Sequence, residues 1–157
     1  MEVEIFLAPI EKRHVLQNMI GLYLYDMSEI DNELELNDDG LYDNPWLDSY
    51  WKEAERHPYL LTAGGKYVGF VLVREIRPNV FSVAEFFIMR KYRKLGLGSV
   101  LMSKMFEFHK GKWEISTLAS NTSSQHFWRK IIKNTSHGEY QEYSIYNGKR
   151  IEWSFCN

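Results

Sequence analysis

The sequence predicts a single mixed α/β domain, and three observations carry that reading. Short runs rich in Val, Phe, Tyr and Ile alternate with longer segments whose apolar residues recur at three- and four-residue spacing. At 157 residues with 45% hydrophobic content, the chain has material for one real core rather than two. No internal repeat, low-complexity tract or linker divides it.

Taken in order, Val3 to Leu7 reads as a first strand. Pro9 and the segment Glu11 to Ile30 then predict one or two helices, with Val15, Met19, Leu22 and Tyr23 on an apolar side. Periodicity lapses from Glu29 to Asp43, where Glu29, Asp31, Glu33, Glu35, Asp38, Asp39 and Asp43 occur with no basic residue, and this reads as an exposed loop. Asn44-Pro45 supplies a cap and a first-turn proline, predicting a helix that runs to about His57. Leu60 to Ala63 and Tyr67 to Glu75 predict a hairpin closed by Gly64-Gly65, and Pro78-Asn79 turns the chain into the next strand.

That strand, Asn79 to Met89, is almost entirely apolar, as expected of one buried on both faces, and Glu85 is its only charge. It leads through Arg90, Lys91, Arg93, Lys94, Gly96 and Gly98 into a helix whose apolar positions are Leu97, Val100, Leu101, Met105 and Phe108. Basic side chains and the free N–H groups of a helix start therefore share one turn, which makes it an anion site. Glycines without a Cβ let an oxygen-rich group such as a pyrophosphate approach the main chain. A tight turn with a solvated basic surface is the other reading of the same residues. Trp113 to Leu118 is the next strand, Ser123 to Lys133 the last helix, and Tyr140 to Tyr146 with Lys149 to Phe155 a hairpin closed by Asn147-Gly148.

Arg93-Lys94-Leu95-Gly96-Leu97-Gly98 resembles the Arg/Gln-x-x-Gly-x-Gly/Ala signature of the GNAT superfamily of N-acetyltransferases at every fixed position, with Tyr92 as the aromatic that often precedes it. The proline usual near the end of the preceding strand is replaced by Arg90. Asn121, Ser124, Phe127 and Trp128 resemble the Asn-x-x-Ala-x-x-Phe-Tyr helix of the same family. The order of elements matches as well, over nearly the whole of residues 1–157. The resemblance implies a mixed, strongly twisted sheet of about six to seven strands with helices on both faces. The strands bearing Glu85 and Trp113 would splay apart to admit the pantetheine arm of acetyl-CoA, the co-substrate. The cofactor-binding residues it implies are Phe87, Ile88, Arg93, Lys94, Leu95, Gly96, Leu97, Gly98, Ser99, Asn121 and Trp128.

Acetyl transfer to an amine needs a neutral nitrogen, and a free alkyl amine, with a pKa of about 10.4, arrives protonated. Glu85 is the candidate base, since apolar surroundings raise a carboxyl toward a useful range. A structural carboxylate paired with Arg74 or a backbone donor is the other reading. By the resemblance, a main-chain N–H near Ile88 polarises the thioester carbonyl. Trp128 stands where the family has a tyrosine, and its indole only donates. This departure motivates a rival reading, a catalytically degenerate module that binds acyl-CoA for regulation or interaction. Tyr92, Tyr140 and Tyr143 remain as alternative hydroxyls. Asn121 reads either as the polar residue opening its helix or as a pantetheine contact.

Charge is asymmetric: residues 1–60 hold fourteen acidic and four basic residues, a net of −10, and residues 61–157 seven and fifteen, a net of +8. The basic residues gather at the glycine turn instead of along a nucleic-acid-binding helix, so the expected partner is a small polyanionic cofactor and not nucleic acid. The acidic run, with Tyr42 and Trp46 nearby, reads either as a solvated loop or as an acceptor rim in which Asp38, Asp39 and Asp43 attract a cationic amine. The acceptor is then a small-molecule or peptide amine, and the chain a monomer or homodimer. The amino terminus does not read as a signal peptide and no run is long enough to span a membrane, so no membrane partner is expected. With a single cysteine, Cys156, no internal disulfide forms, which suits the cytoplasm. The scattered histidines have no metal-ligand spacing, and no metal is expected.

Overall fold

The computed structural model describes residues 1–157 throughout. Seven strands, β1 (Val3–Leu7), β2 (Arg56–Ala63), β3 (Lys66–Arg77), β4 (Val80–Ile88), β5 (Lys112–Leu118), β6 (Tyr140–Ile145) and β7 (Arg150–Cys156), form one sheet. Its order is β1-β2-β3-β4-β5-β7-β6. Neighbours run antiparallel except β4 and β5, which are parallel. Three helices, α1 (Arg13–Met27), α2 (Leu97–Phe108) and α3 (Thr122–Thr135), cover it.

Period-two alternation in the central strands sends side chains to both faces, and each face has its own core. Leu60, Phe70, Leu72 and Phe87 pack with Leu16, Met19 and Ile20 of α1. Leu61, Val71, Val73, Trp113 and Trp153 pack on the other side with Leu101, Met102 and Met105 of α2 and Trp128, Ile131 and Ile132 of α3. Helices on both faces of a mixed sheet are the architecture expected.

The helix expected from Asn44 to about His57 does not form. Leu47–Trp51 makes a short 3-10 turn, and Arg56, His57 and Pro58 already belong to β2. Leu47 and Tyr50 are its buried residues, at the three-residue spacing of a 3-10 helix, and the Trp51 indole donates to the carbonyl of Ala8 at 2.9 Å. Pro58 disfavours helical dihedrals at His57, so strand pairing with β3 wins there. The other bounds move less: β3 extends at both ends, and the last hairpin closes through residues 146–149, in which Tyr146, Asn147 and Gly148 sit at left-handed φ values of 51°, 54° and 82°.

Two helices are rotated from their expected faces. In α1 Leu16 and Ile20 are buried with Met19, while Leu22 is exposed. In α2 the inward stripe is Leu97, Leu101, Met102, Met105 and Phe106, leaving Val100 and Phe108 exposed. The reason is at the helix start: a Cβ on Gly98 would lie 3.2 Å from the rings of both Phe86 and Phe127, so Gly98 faces inward and Val100 outward.

Candidate active site

The site is built where the sheet comes apart. β4 and β5 pair only at Val80 with Lys112 and Phe81 with Trp113, and from Ser82 onward the two strands diverge. The middle of β4, Ser82 to Phe86, is consequently half-buried. This corrects the expectation of a strand buried on both faces.

Antiparallel pairing with β3 decides which main-chain groups of β4 face the opening. The N–H of Met89 donates to the carbonyl of Val68 at 2.9 Å. By the alternation of bonded and non-bonded pairs, the N–H groups of Phe86 and Ile88 then point away from β3 and into the gap.

A groove of about 780 Å³ runs from this gap between the starts of α2 and α3. Its walls include Phe86, Phe87, Ile88, Tyr92, Arg93, Lys94, Gly96, Gly98 and Ser99 on one side and Ser120 to Ser124, Phe127 and Lys130 on the other. At α2, Gly96 occupies the cap position at φ 79°, no side chain caps the helix, and the first helical bond runs from Val100 N–H to the Gly96 carbonyl at 3.1 Å. The N–H groups of Leu97, Gly98 and Ser99 are thus the unpaired donors of this terminus. At α3 the Asn121 side chain accepts from Ser124 N–H at 3.1 Å, so Asn121 is the cap of its helix and also lines the groove.

The basic turn is less free than its composition suggests. Asp26, near the end of α1, accepts from Arg90 Nε at 2.8 Å and from the Arg93 guanidinium, and Arg93 Nε also donates to the Ile88 carbonyl at 2.7 Å. Burial pushes the Asp26 carboxyl up, but the bonds from Arg93 and Arg90 and their charges outweigh it, and the group lies below its ordinary value. Lys94 and Lys130 are the groove cations with no carboxylate partner.

A second cavity of about 530 Å³ adjoins the first. Tyr23, Met27, Phe86, Asn121 and Ser124 line both. Glu85 belongs to the second cavity. Its carboxyl is raised, because burial penalises the charged form more than the hydrogen bond from Tyr23 and the nearby Arg150 favour it. The Tyr23 hydroxyl is pushed well above its ordinary value by burial and by Glu85, so it stays protonated. Arg74, the alternative partner for Glu85, is exposed and is not among the groups acting on it.

Of the residues singled out in the sequence, Phe87, Ile88, Arg93, Lys94, Gly96, Gly98, Ser99 and Asn121 line the groove. Leu95 is exposed and Leu97 is buried in the core, so neither side chain lines it. Trp128 is buried against Phe86 and Phe127 and lines the second cavity instead. The acidic loop borders that cavity through Asp31, Glu33, Glu35 and Asp43, together with Tyr42 and Trp46. Asp38 and Asp39 lie outside it, in a turn where the Asn37 side chain accepts from the N–H groups of Asp39 and Leu41.

Sequence reasoning missed Tyr23, Phe127, Lys130 and Arg150. Tyr23 read only as part of an apolar helix face. Phe127 was visible as a motif position, and the other two carried no local signal.

The model of the acetyltransferase (GNAT) family matches residues 22–132 of this chain. No curated protein sequence matches significantly. Among solved structures, the chain resembles an acetyltransferase from Thermus thermophilus at 12% identity and a TM-score of 0.74, covering 100% of this chain and 98% of that one. An acetyltransferase of the GNAT family from Streptococcus agalactiae matches at 16% identity and a TM-score of 0.74, over 99% and 95% of the two chains. The PaiA N-acetyltransferase of Thermoplasma acidophilum, solved in complex with coenzyme A, matches at 12% identity and a TM-score of 0.70, over 100% of both.

Proposed function

The chain belongs to the acetyltransferase (GNAT) family, and from that premise we propose that residues 1–157 act as one transferase domain that moves an acetyl group from acetyl-CoA to a primary amine by direct attack in a ternary complex. The observation that carries this reading is the meeting of two cavities at the β4–β5 gap, with Glu85 on the side away from the glycine turn.

The groove fits acetyl-CoA on features of this chain. The unpaired N–H groups of Leu97, Gly98 and Ser99 suit a pyrophosphate, with Lys94 and Lys130 adding charge. Gly98 has no side chain where the groove passes Phe86 and Phe127. When bound, acetyl-CoA supplies a thioester whose carbonyl carbon takes the amine lone pair as the carbon–sulfur bond breaks, and CoA departs as a thiolate that takes up the second proton, shed by the attacking nitrogen.

The residues around it divide the remaining work. Glu85, its carboxyl raised by burial, takes the proton from the arriving ammonium, directly or through one water. Tyr23, protonated beside Glu85, favours the charged form of that carboxyl. The Ile88 N–H, aimed into the gap, stabilises negative charge developing on the carbonyl oxygen. Trp128 contributes packing and one donor, not a proton. Asp31, Glu33, Glu35 and Asp43 form a rim that draws in a cationic amine.

Titration calorimetry with CoA and acetyl-transfer assays on a panel of amines test this. Expected is CoA binding together with turnover that falls roughly 10²- to 10⁴-fold in Glu85→Gln, CoA affinity being retained. CoA binding with no transfer to any amine, the same in parent and variant, would replace the enzyme with an acyl-CoA-binding module.

A further inference from the structure

Arg150 stands apart from the other arginines. Arg13, Arg56, Arg77, Arg90, Arg93 and Arg129 each pair with a carboxylate, and Arg74 is exposed to water. Arg150, at the first position of β7, is half-buried, lines the second cavity, and has no ion pair. Its Nε donates to Ser116 Oγ at 3.1 Å and its Nη2 to the Ser116 carbonyl at 3.3 Å. These two bonds hold the guanidinium in one orientation and leave Nη1 without a protein acceptor. Partial burial of a cation with no direct ion pair costs stability: Glu85 feels its charge across the cavity with no salt bridge between them, and Leu118 and Ile145, its pairing neighbours in the sheet, carry no charge. Arg150 therefore has the form of a binding group whose partner comes from outside the chain.

We propose that Arg150 anchors a carboxylate of the acceptor, so that the second cavity takes an amino-carboxylate, such as a free amino acid, in preference to a simple amine. A fixed guanidinium with free N–H groups suits a planar carboxylate. The other charges of the cavity complete the match: Glu85 and the rim of Asp31, Glu33, Glu35 and Asp43 receive the amine end. The same rim disfavours a phosphate, whose second negative charge would face four carboxylates with one arginine to offset it. A zwitterion satisfies both poles.

This inference rests on the second cavity being the acceptor site, and the experiment separates the two. Acceptors are compared in pairs that differ by a carboxylate alone, L-lysine with cadaverine and L-ornithine with putrescine, in parent, Arg150→Gln and Arg150→Lys. The preference for the amino acid, as a ratio of kcat/KM within each pair, is expected to fall roughly ten- to a hundredfold in Arg150→Gln and by less in Arg150→Lys. A ratio removes the effect of Arg150 on Glu85, which both members of a pair share. A parent that turns over cadaverine as well as lysine overturns the anchor and leaves the transferase standing, and this arm holds even where the variants fail to fold. If neither amine is acetylated, calorimetry of L-lysine against the CoA-saturated protein decides: weaker binding to Arg150→Gln supports the anchor, and equal binding or none to the parent overturns it.

Discussion

Glu85 shows what one side chain gains from its position. Because burial raises its carboxyl, it binds a proton more readily in the folded chain than in the unfolded one. Its ionisation therefore lowers folding stability as pH rises from the ordinary carboxylate range through the raised folded value. The same ionisation creates the base, so kcat/KM is expected to rise along a limb with an apparent pKa above the ordinary carboxylate range. Glu85→Gln should flatten that limb, and its melting temperature relative to the parent should be higher at pH 8 than at pH 4. An unchanged pH–rate limb in Glu85→Gln would remove Glu85 as the base. Tyr23 sharpens the test: its hydrogen bond lowers the Glu85 value, so Tyr23→Phe should move the limb to higher pH while CoA affinity, measured by calorimetry, changes little.

At the scale of the element, the start of α2 separates two kinds of glycine. Gly96 has open space around it but sits at φ 79°, so Gly96→Ala strains the backbone and should cost about 1 kcal/mol of stability. Gly98 has no such dihedral restriction; its added Cβ would press on Phe86 and Phe127, which line the groove. Gly98→Ala should therefore weaken CoA binding by several-fold to about tenfold, an effect of order 1 kcal/mol, with a smaller loss of melting temperature than Gly96→Ala. Chemical denaturation and CoA titration read the two effects separately. Equal CoA affinity in parent and Gly98→Ala would remove the pyrophosphate assignment from this terminus.

In the whole molecule, the charge asymmetry of the sequence becomes a division between two cavities. The basic turn and α3 face the groove, and the acidic loop after α1 borders the second cavity. Replacing Glu33, Glu35 and Asp43 by their amides should raise KM for a cationic acceptor several-fold and flatten the salt dependence of kcat/KM. Replacing Asp38 and Asp39 should do much less, since their turn points elsewhere. Equal salt dependence in the two variants would detach the loop from the acceptor. Features under local chemical control are legible in the residues: the strand–turn–helix around Gly96 and Gly98, the Asn121 helix, the Asn147-Gly148 turn and a lone acid within an apolar strand. Helix faces, the fate of Asn44 to His57 and the engagement of Arg90 and Arg93 by Asp26 follow from packing between distant segments. Each depends on which distant residue arrives opposite, as Tyr23 does beside Glu85 and Arg150 across the same cavity, and local periodicity carries no information about such partners.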